Sequence, residues 1–137
     1  MKQLSLICLT AAVLTACSQQ PDDSVGQSIP IDNDDIAGVV SSAAGPEAGV
    51  WVIAETADLG TRFARIVVTD DDGKYLVPDL PDASYELWVR GYGLVDSQKI
   101  AASPGQSVDL TATVAPDAAA AAQVYPAAYW FAMMNLP

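Results

Sequence analysis

From Ile36 to Val114 the apolar residues fall into short runs, each closed by a cluster of glycine, proline or aspartate. Ile36-Ala37-Gly38-Val39-Val40 comes first, and Gly45-Pro46-Glu47-Ala48-Gly49 reads as the turn that follows it. Val50-Trp51-Val52-Ile53-Ala54-Glu55 and Arg65-Ile66-Val67-Val68-Thr69 are rich in the β-branched and aromatic residues that fit a pleated surface. Asp70-Asp71-Asp72-Gly73 predicts a tight reversal, because glycine reaches the positive φ that such turns use. Residues 74–77 then predict a short strand, closed by Pro78-Asp79-Leu80-Pro81. Residues 85–90 alternate with a period of two, which puts Tyr85, Leu87 and Val89 on one face. Glu86, Trp88 and Arg90 fall on the other, with Tyr92 in step beyond them. Residues 94–100 and 107–114 complete about seven strands. No stretch within 36–114 sustains a helical period, so the pattern predicts a small all-β antiparallel sandwich.

The flanks differ in texture. Met1-Lys2 and the mostly apolar residues 4–14 have the build of a secretory signal, too short to span a bilayer. They close on Leu14-Thr15-Ala16-Cys17, which resembles the lipobox of bacterial lipoproteins. In that family the cysteine thiol carries a diacylglyceryl group and the signal is cut just before it. The resemblance implies that residues 1–16 are removed and that Cys17 anchors the chain through several acyl chains, which hold durably where one is marginal. Ser18 stands where an aspartate would resemble the inner-membrane retention signal of such proteins. The expected location is therefore the periplasmic face of the outer membrane.

Residues 17–35 are polar and acidic with two prolines, and read as a flexible tether reaching about 20–30 Å. Asp32, Asn33, Asp34 and Asp35 within it lack the alternating ligands and later glutamate of a calcium loop, so they read as solvated charge. Past the strands, Asp117 is placed to cap a short helix over residues 118–122. The rest of 115–137 is uncharged and rich in Tyr, Trp, Phe and Met, too short and too interrupted by Pro126 to cross a membrane. Such an adhesive end is expected to lead into a downstream region.

Charge and composition narrow the functions. The 137 residues hold 17 Asp and Glu against 6 Lys and Arg, a net charge of −11, which argues against nucleic acid as a partner. Loss of residues 1–16 removes Lys2 and leaves 5 − 17 = −12. The absence of histidine removes Ser-His and Cys-His nucleophile pairs and imidazole zinc ligands. Cys8 leaves with the signal and Cys17 becomes a thioether, so the mature chain keeps neither thiol nor disulfide.

Gly38-Val39-Val40, Gly49-Val50-Trp51-Val52 and Thr69-Asp70-Asp71-Asp72-Gly73-Lys74-Tyr75 follow one another with a characteristic spacing. Leu80-Pro81, Tyr85-Glu86-Leu87-Trp88-Val89 and Gly91-Tyr92 continue the series, and residues 36–114 as a whole resemble a carboxypeptidase regulatory-like domain. The pattern departs at Ala83-Ser84, where that family has glycine. The resemblance implies a transthyretin-like sandwich of the carbohydrate-binding-like class, without peptidase chemistry, riding on larger exported proteins. The expected function is a non-catalytic accessory or interaction module, with no cofactor and no metal. Its expected partners are the membrane, through the lipid on Cys17, and a glycan or protein. Two other readings stand beside it. One is a carbohydrate-binding module that stacks sugar on Trp88 and Tyr92 and binds hydroxyls through Glu86 and Arg90. The other is the front part of an enzyme whose active site lies downstream. Asp70, Asp71 and Asp72 are read as turn-forming, not as a calcium site.

Overall fold

The computed structural model describes residues 29–125 together with Phe131 and Met134, so the signal, Cys17 and most of the aromatic end lie outside the described residues. In chain order the strands are β1 (Ile36–Ser42), β2 (Gly45–Pro46), β3 (Trp51–Thr56), β4 (Phe63–Val68), β5 (Lys74–Val77) and β6 (Tyr85–Arg90). After them come β7 (Leu94–Val95), β8 (Ile100–Ala102), β9 (Gln106–Ser107), β10 (Leu110–Thr111), β11 (Thr113–Val114) and the helix α1 (Ala118–Val124).

The strands form two packed layers. In the first, β1 is central: β5 and β2 lie antiparallel along one edge, β9 and β10 parallel along the other. The second is antiparallel throughout, in the order β4-β3-β6-β8. A further two-stranded ladder joins β7 and β11. Between the layers, Ile36, Val40, Tyr75, Val77 and Leu110 from the first meet Val52, Ala54, Tyr85, Leu87 and Val89 from the second in one buried cluster. An all-β sandwich is what the alternation predicts, and β6 shows it most clearly: Tyr85, Leu87 and Val89 are buried while Glu86 is exposed. Among the described residues no helix is long and apolar enough to cross a membrane.

The structure corrects the sequence reading in four places. Gly45-Pro46 is a strand folded back on Ser41 and Ser42, not part of a turn. The run 94–100 is split, because Ser97 bends the chain back to Val89: its N–H donates to the Val89 carbonyl and its Oγ accepts the Val89 N–H at 2.8 Å. The run 107–114 is broken because Asp109 turns its carboxylate to the Val39 N–H at 3.0 Å, where a ladder carbonyl would otherwise serve. Finally, the sandwich claims the end of the expected tether: the Asp34 and Asp35 carbonyls accept from the Leu80 and Gly105 N–H groups, both at 2.7 Å.

Two glycines permit close approaches that no other residue allows. At Gly38 a Cβ would stand 2.0 Å from the Val108 carbonyl oxygen and 3.2 Å from the Tyr75 ring. The Tyr75 hydroxyl donates to that same oxygen at 2.6 Å, and burial pushes its phenol well above the ordinary 10.0. Gly73 takes a φ of +74° in the β4–β5 turn and lies against the Val40 carbonyl oxygen, where a Cβ would come within 2.5 Å.

Candidate functional site

The outward face of the four-stranded sheet holds the residues singled out from sequence. Its cross-strand partners form three rows: Ala64, Glu55, Glu86 and Ala101; then Ile66, Ile53 and Trp88; then Val68, Trp51 and Arg90. Sheet register thus places two carboxylates side by side, an arrangement that repels unless cations intervene. Lys99 does so, its ammonium pairing with both Glu55 and Glu86, the latter at 2.9 Å. Arg62 adds a second cation to Glu55 at 3.0 Å. The Glu55 side chain is 11% exposed beneath an Arg62 that is 81% exposed, so the carboxylate is set in and the guanidinium caps it. Bonds from Lys99 and then Arg62 hold the Glu55 carboxyl below its ordinary 4.5, against the opposing effect of burial. The Lys99 ammonium is raised in turn by Glu55 first and Glu86 second.

This charged row borders an open groove of about 540 Å³, lined among others by Thr56, Asp58, Arg62, Ser84, Glu86 and Lys99. The network combines fixed acceptors and donors in alternation, an arrangement that suits a polar ligand with groups of both kinds.

The other rows behave differently. The Arg90 guanidinium lies 4.8 Å from the Trp88 ring centroid, locked in place by a two-pronged bond to Asp96 at 2.7 and 2.6 Å. Trp88 is half-buried, and its indole nitrogen is buried without a hydrogen-bond partner among the described residues. Tyr92 is exposed. The structure therefore separates the four predicted sugar-binding residues: Glu86 joins the groove, while Trp88 and Arg90 stack on each other with Tyr92 beyond them. A pyranose stacked on that side of Trp88 requires the guanidinium to swing away. Trp51 lies on this outward face as well, its ring 5.6 Å from that of Tyr125 just past α1.

Glu55, Arg62 and Lys99 were not among the residues predicted for a site. The available signal was Glu55 itself, an acidic residue at the end of an apolar strand. Its neighbours are set by register and by a lysine 44 positions further on.

The acidic clusters are turn chemistry. Asp70 Oδ1 accepts from the Asp72 and Lys74 N–H groups at 3.0 and 2.8 Å, and Lys74 pairs with Asp72 at 3.2 Å. The carboxylates of Asp32, Asp34 and Asp35 approach within 4.8 Å of one another. Asp35 spends its oxygens on the Asp32 and Asp79 N–H groups, both at 3.3 Å.

No protein-family model and no curated protein matches the chain. Among solved structures it is similar to a Streptococcal ancillary pilin, with a TM-score of 0.50 and 14% identity over 64% of this chain and 31% of that one. The fold is a β-sandwich. At that identity the likeness shows architecture alone, and the chain spans about a third of the pilin's length. Two further structures match more loosely. Catechol 1,2-dioxygenase from Pseudomonas arvilla C-1 has a TM-score of 0.46 and 14% identity, over 63% of this chain and 53% of that one. A "putative carbohydrate binding protein" from Pseudomonas aeruginosa has a TM-score of 0.40 and 16% identity, over 68% and 97%.

Proposed function

We propose that the chain is a non-catalytic accessory module of an exported bacterial lipoprotein, a sandwich of the carboxypeptidase regulatory-like type that presents a polar interaction groove from a lipid tether. One observation carries the non-catalytic part. Glu55, Glu86, Arg62 and Lys99 at the groove neutralise one another, with Glu55 held by Lys99 and Arg62 and Glu86 by Lys99. A general acid or base needs a pKa near the working pH and a free proton path. Glu55 is instead driven away from neutrality. The network is suited to holding a ligand's polar groups, not to moving protons.

The anchor is tested by expressing the whole chain in a Gram-negative host. The amino-terminal peptide is expected to begin at Cys17 and to carry diacylglyceryl mass, with the protein in the outer-membrane fraction. The C17A variant is expected in no lipid-modified form. An unmodified Cys17 on a chain that is exported and folded defeats the lipoprotein reading.

A second reading, binding of a glycan, is favoured by the alternating donors and acceptors of the groove and by the exposed Tyr92 ring. Capture on immobilised cell-envelope glycans separates the two places where sugar would sit. Loss in E86A/K99A with retention in W88A/Y92A assigns binding to the groove, and the converse assigns it to the aromatic side. No capture by the parent protein leaves protein partners as the module's targets.

A further inference from the structure

Of the sheet edges among the described residues, β4 is the longest, with six residues against four in β5 and three in β8. Proteins ordinarily guard such an edge with charge, proline or a bulge, because its open N–H and C=O groups invite another strand. β8 is guarded, with Lys99 before it and Pro104 after it. The outward residues of β4 are instead Ala64, Ile66 and Val68, all exposed, the last two by 54% and 57%. Arg65, the one charge on the strand, turns its guanidinium inward to the Pro78 carbonyl.

Register fixes what this edge offers. The Thr69 N–H donates to the Val50 carbonyl at 3.0 Å, which makes these two a hydrogen-bonded pair. Bonded and non-bonded pairs alternate along an antiparallel ladder, so Val67 and Arg65 bond to β3 as well. The N–H and C=O groups of Ala64, Ile66 and Val68 therefore point away from β3, to the open side.

We infer that the β4 edge pairs antiparallel with the same edge of a second copy, about a two-fold axis at Ile66. That register sets Ile66 opposite its own counterpart, Ala64 opposite the second copy's Val68, and Arg62 opposite the second copy's Asp70. All three outward residues are then engaged on both strands, each facing pair exchanging two hydrogen bonds. Moving the axis to Arg65 or Val67 leaves one of the three facing a residue outside the strand, and the former also sets Arg65 against itself. An inward charge discourages edge pairing most where like charges meet, and with the axis at Ile66 each Arg65 faces Val67.

The flanks select a copy of this chain over an unrelated strand. Residues 59–69 hold Arg62 and Arg65 and no carboxylate, so two acidic chains approach here with little repulsion. The Arg62 side chain is 81% exposed and holds Glu55 through Nη2, which leaves the rest of its fork to face a second carboxylate. Asp70 is exposed and spends Oδ1 on the turn amides of Asp72 and Lys74. A hollow of about 260 Å³ bordered by Val68, Asp70 and Lys74 gives the incoming guanidinium room. One strip thus carries an apolar centre with opposite charges at its two ends, the self-complementarity that an isologous contact requires.

Cysteine cross-linking on the purified full chain in mild detergent tests this, with linked peptides identified by mass spectrometry. Facing residues of a hydrogen-bonded pair lie ~5.5 Å apart between Cα atoms, within disulfide range. Under mild oxidation A64C/V68C is expected to link position 64 of one copy to position 68 of the other. The yield is expected to exceed by at least about tenfold the 68-to-68 link in V68C alone, which this register holds apart. I66C, on the axis, is expected to link to its own counterpart. Added to A64C/V68C, I66K sets two ammonium groups across the axis, and I66P removes an outward N–H but no bond to β3. Each is expected to abolish the 64-to-68 link while the circular dichroism stays that of the parent. Absence of both the 64-to-68 and the 66-to-66 links overturns the inference. So do 68-to-68 links as abundant as 64-to-68 links, or 64-to-68 links that survive I66K and I66P.

Discussion

Thr69 carries two hydrogen bonds at the start of the β4–β5 turn that no neighbour can replace. Its Oγ1 accepts from the Val50 N–H at 3.1 Å and donates to the Glu47 carbonyl at 2.6 Å, in a site where the residue is buried. Valine has the same shape and neither bond. T69V is expected to destabilise by about 2–3 kcal/mol, the cost of leaving buried polar groups unpaired, and to lower Tm by roughly 10–15 °C. Gly38 is constrained by space instead. A methyl there meets backbone at Val108, which cannot swing aside as a side chain would. G38A is expected to cost about 3 kcal/mol in a denaturant melt, at the upper end for overpacking. A loss below about 1 kcal/mol would mean that the β1–β9 connection relaxes freely. Gly38 and Tyr75 were legible as parts of one motif. Their meeting point at Val108, 33 residues beyond Tyr75, was not, because only the folded sheet brings it there.

At the scale of the element, legibility follows whether a strand's hydrogen bonds stay within the ladder. β5 and β6 were readable to the residue because alternation and turn chemistry agree over Lys74–Val77 and Tyr85–Arg90. The segments after Val95 were not, since Ser97 and Asp109 bond backbone groups on other strands and so interrupt runs that look continuous in composition. The groove was hidden for a related reason. Glu55 and Glu86 face each other only through the β3–β6 register, and Lys99 joins them from the segment leading into β8. This network makes a prediction with a definite sign. The Glu55 carboxyl titrates lower folded than unfolded, so its stabilising effect is present above about 4.5 and is lost as pH falls through the folded value. The Lys99 ammonium titrates higher when folded, so its effect is present below 10.5 and is lost as pH rises through the folded value. The network's contribution is therefore level between these limits and falls away outside them. E55Q is expected to lower Tm at pH 7 and to flatten its decline below pH 4.5, with thermal melts across the acid range as the measure. An acid limb identical to that of the parent protein would show that other carboxylates set it.

At the scale of the whole molecule, the charge imbalance and the small core act against each other. Every cation in the described part of the chain is engaged. Arg62, Lys74, Arg90 and Lys99 form ion pairs, and Arg65 is bonded to a carbonyl. The same ion pairs engage four acidic residues, Glu55, Asp72, Glu86 and Asp96, out of the seventeen in the sequence. Among the described residues the other carboxylates crowd the turns and the approach to β1 without an ion pair. Salt acts on both populations, weakening the pairs and screening the repulsion, and the larger population decides the sign. Exposed pairs are worth about 0–1 kcal/mol each, and the more enclosed Glu55 pairs lose least to screening. Repulsion among the excess carboxylates, spread over the whole surface, is thus the greater effect. Raising sodium chloride from about 10 to about 300 mM, which shortens the screening length several-fold, is expected to raise Tm by a few degrees. Magnesium or calcium at equal ionic strength should match sodium if Asp32, Asp34 and Asp35 are loop-forming residues, because their oxygens then serve backbone N–H groups and offer a cation no preformed cage. A Tm that falls with salt would place the balance in the Glu55 and Asp96 pairs. A rise specific to calcium would mark the acidic loop ahead of β1 as a binding site after all.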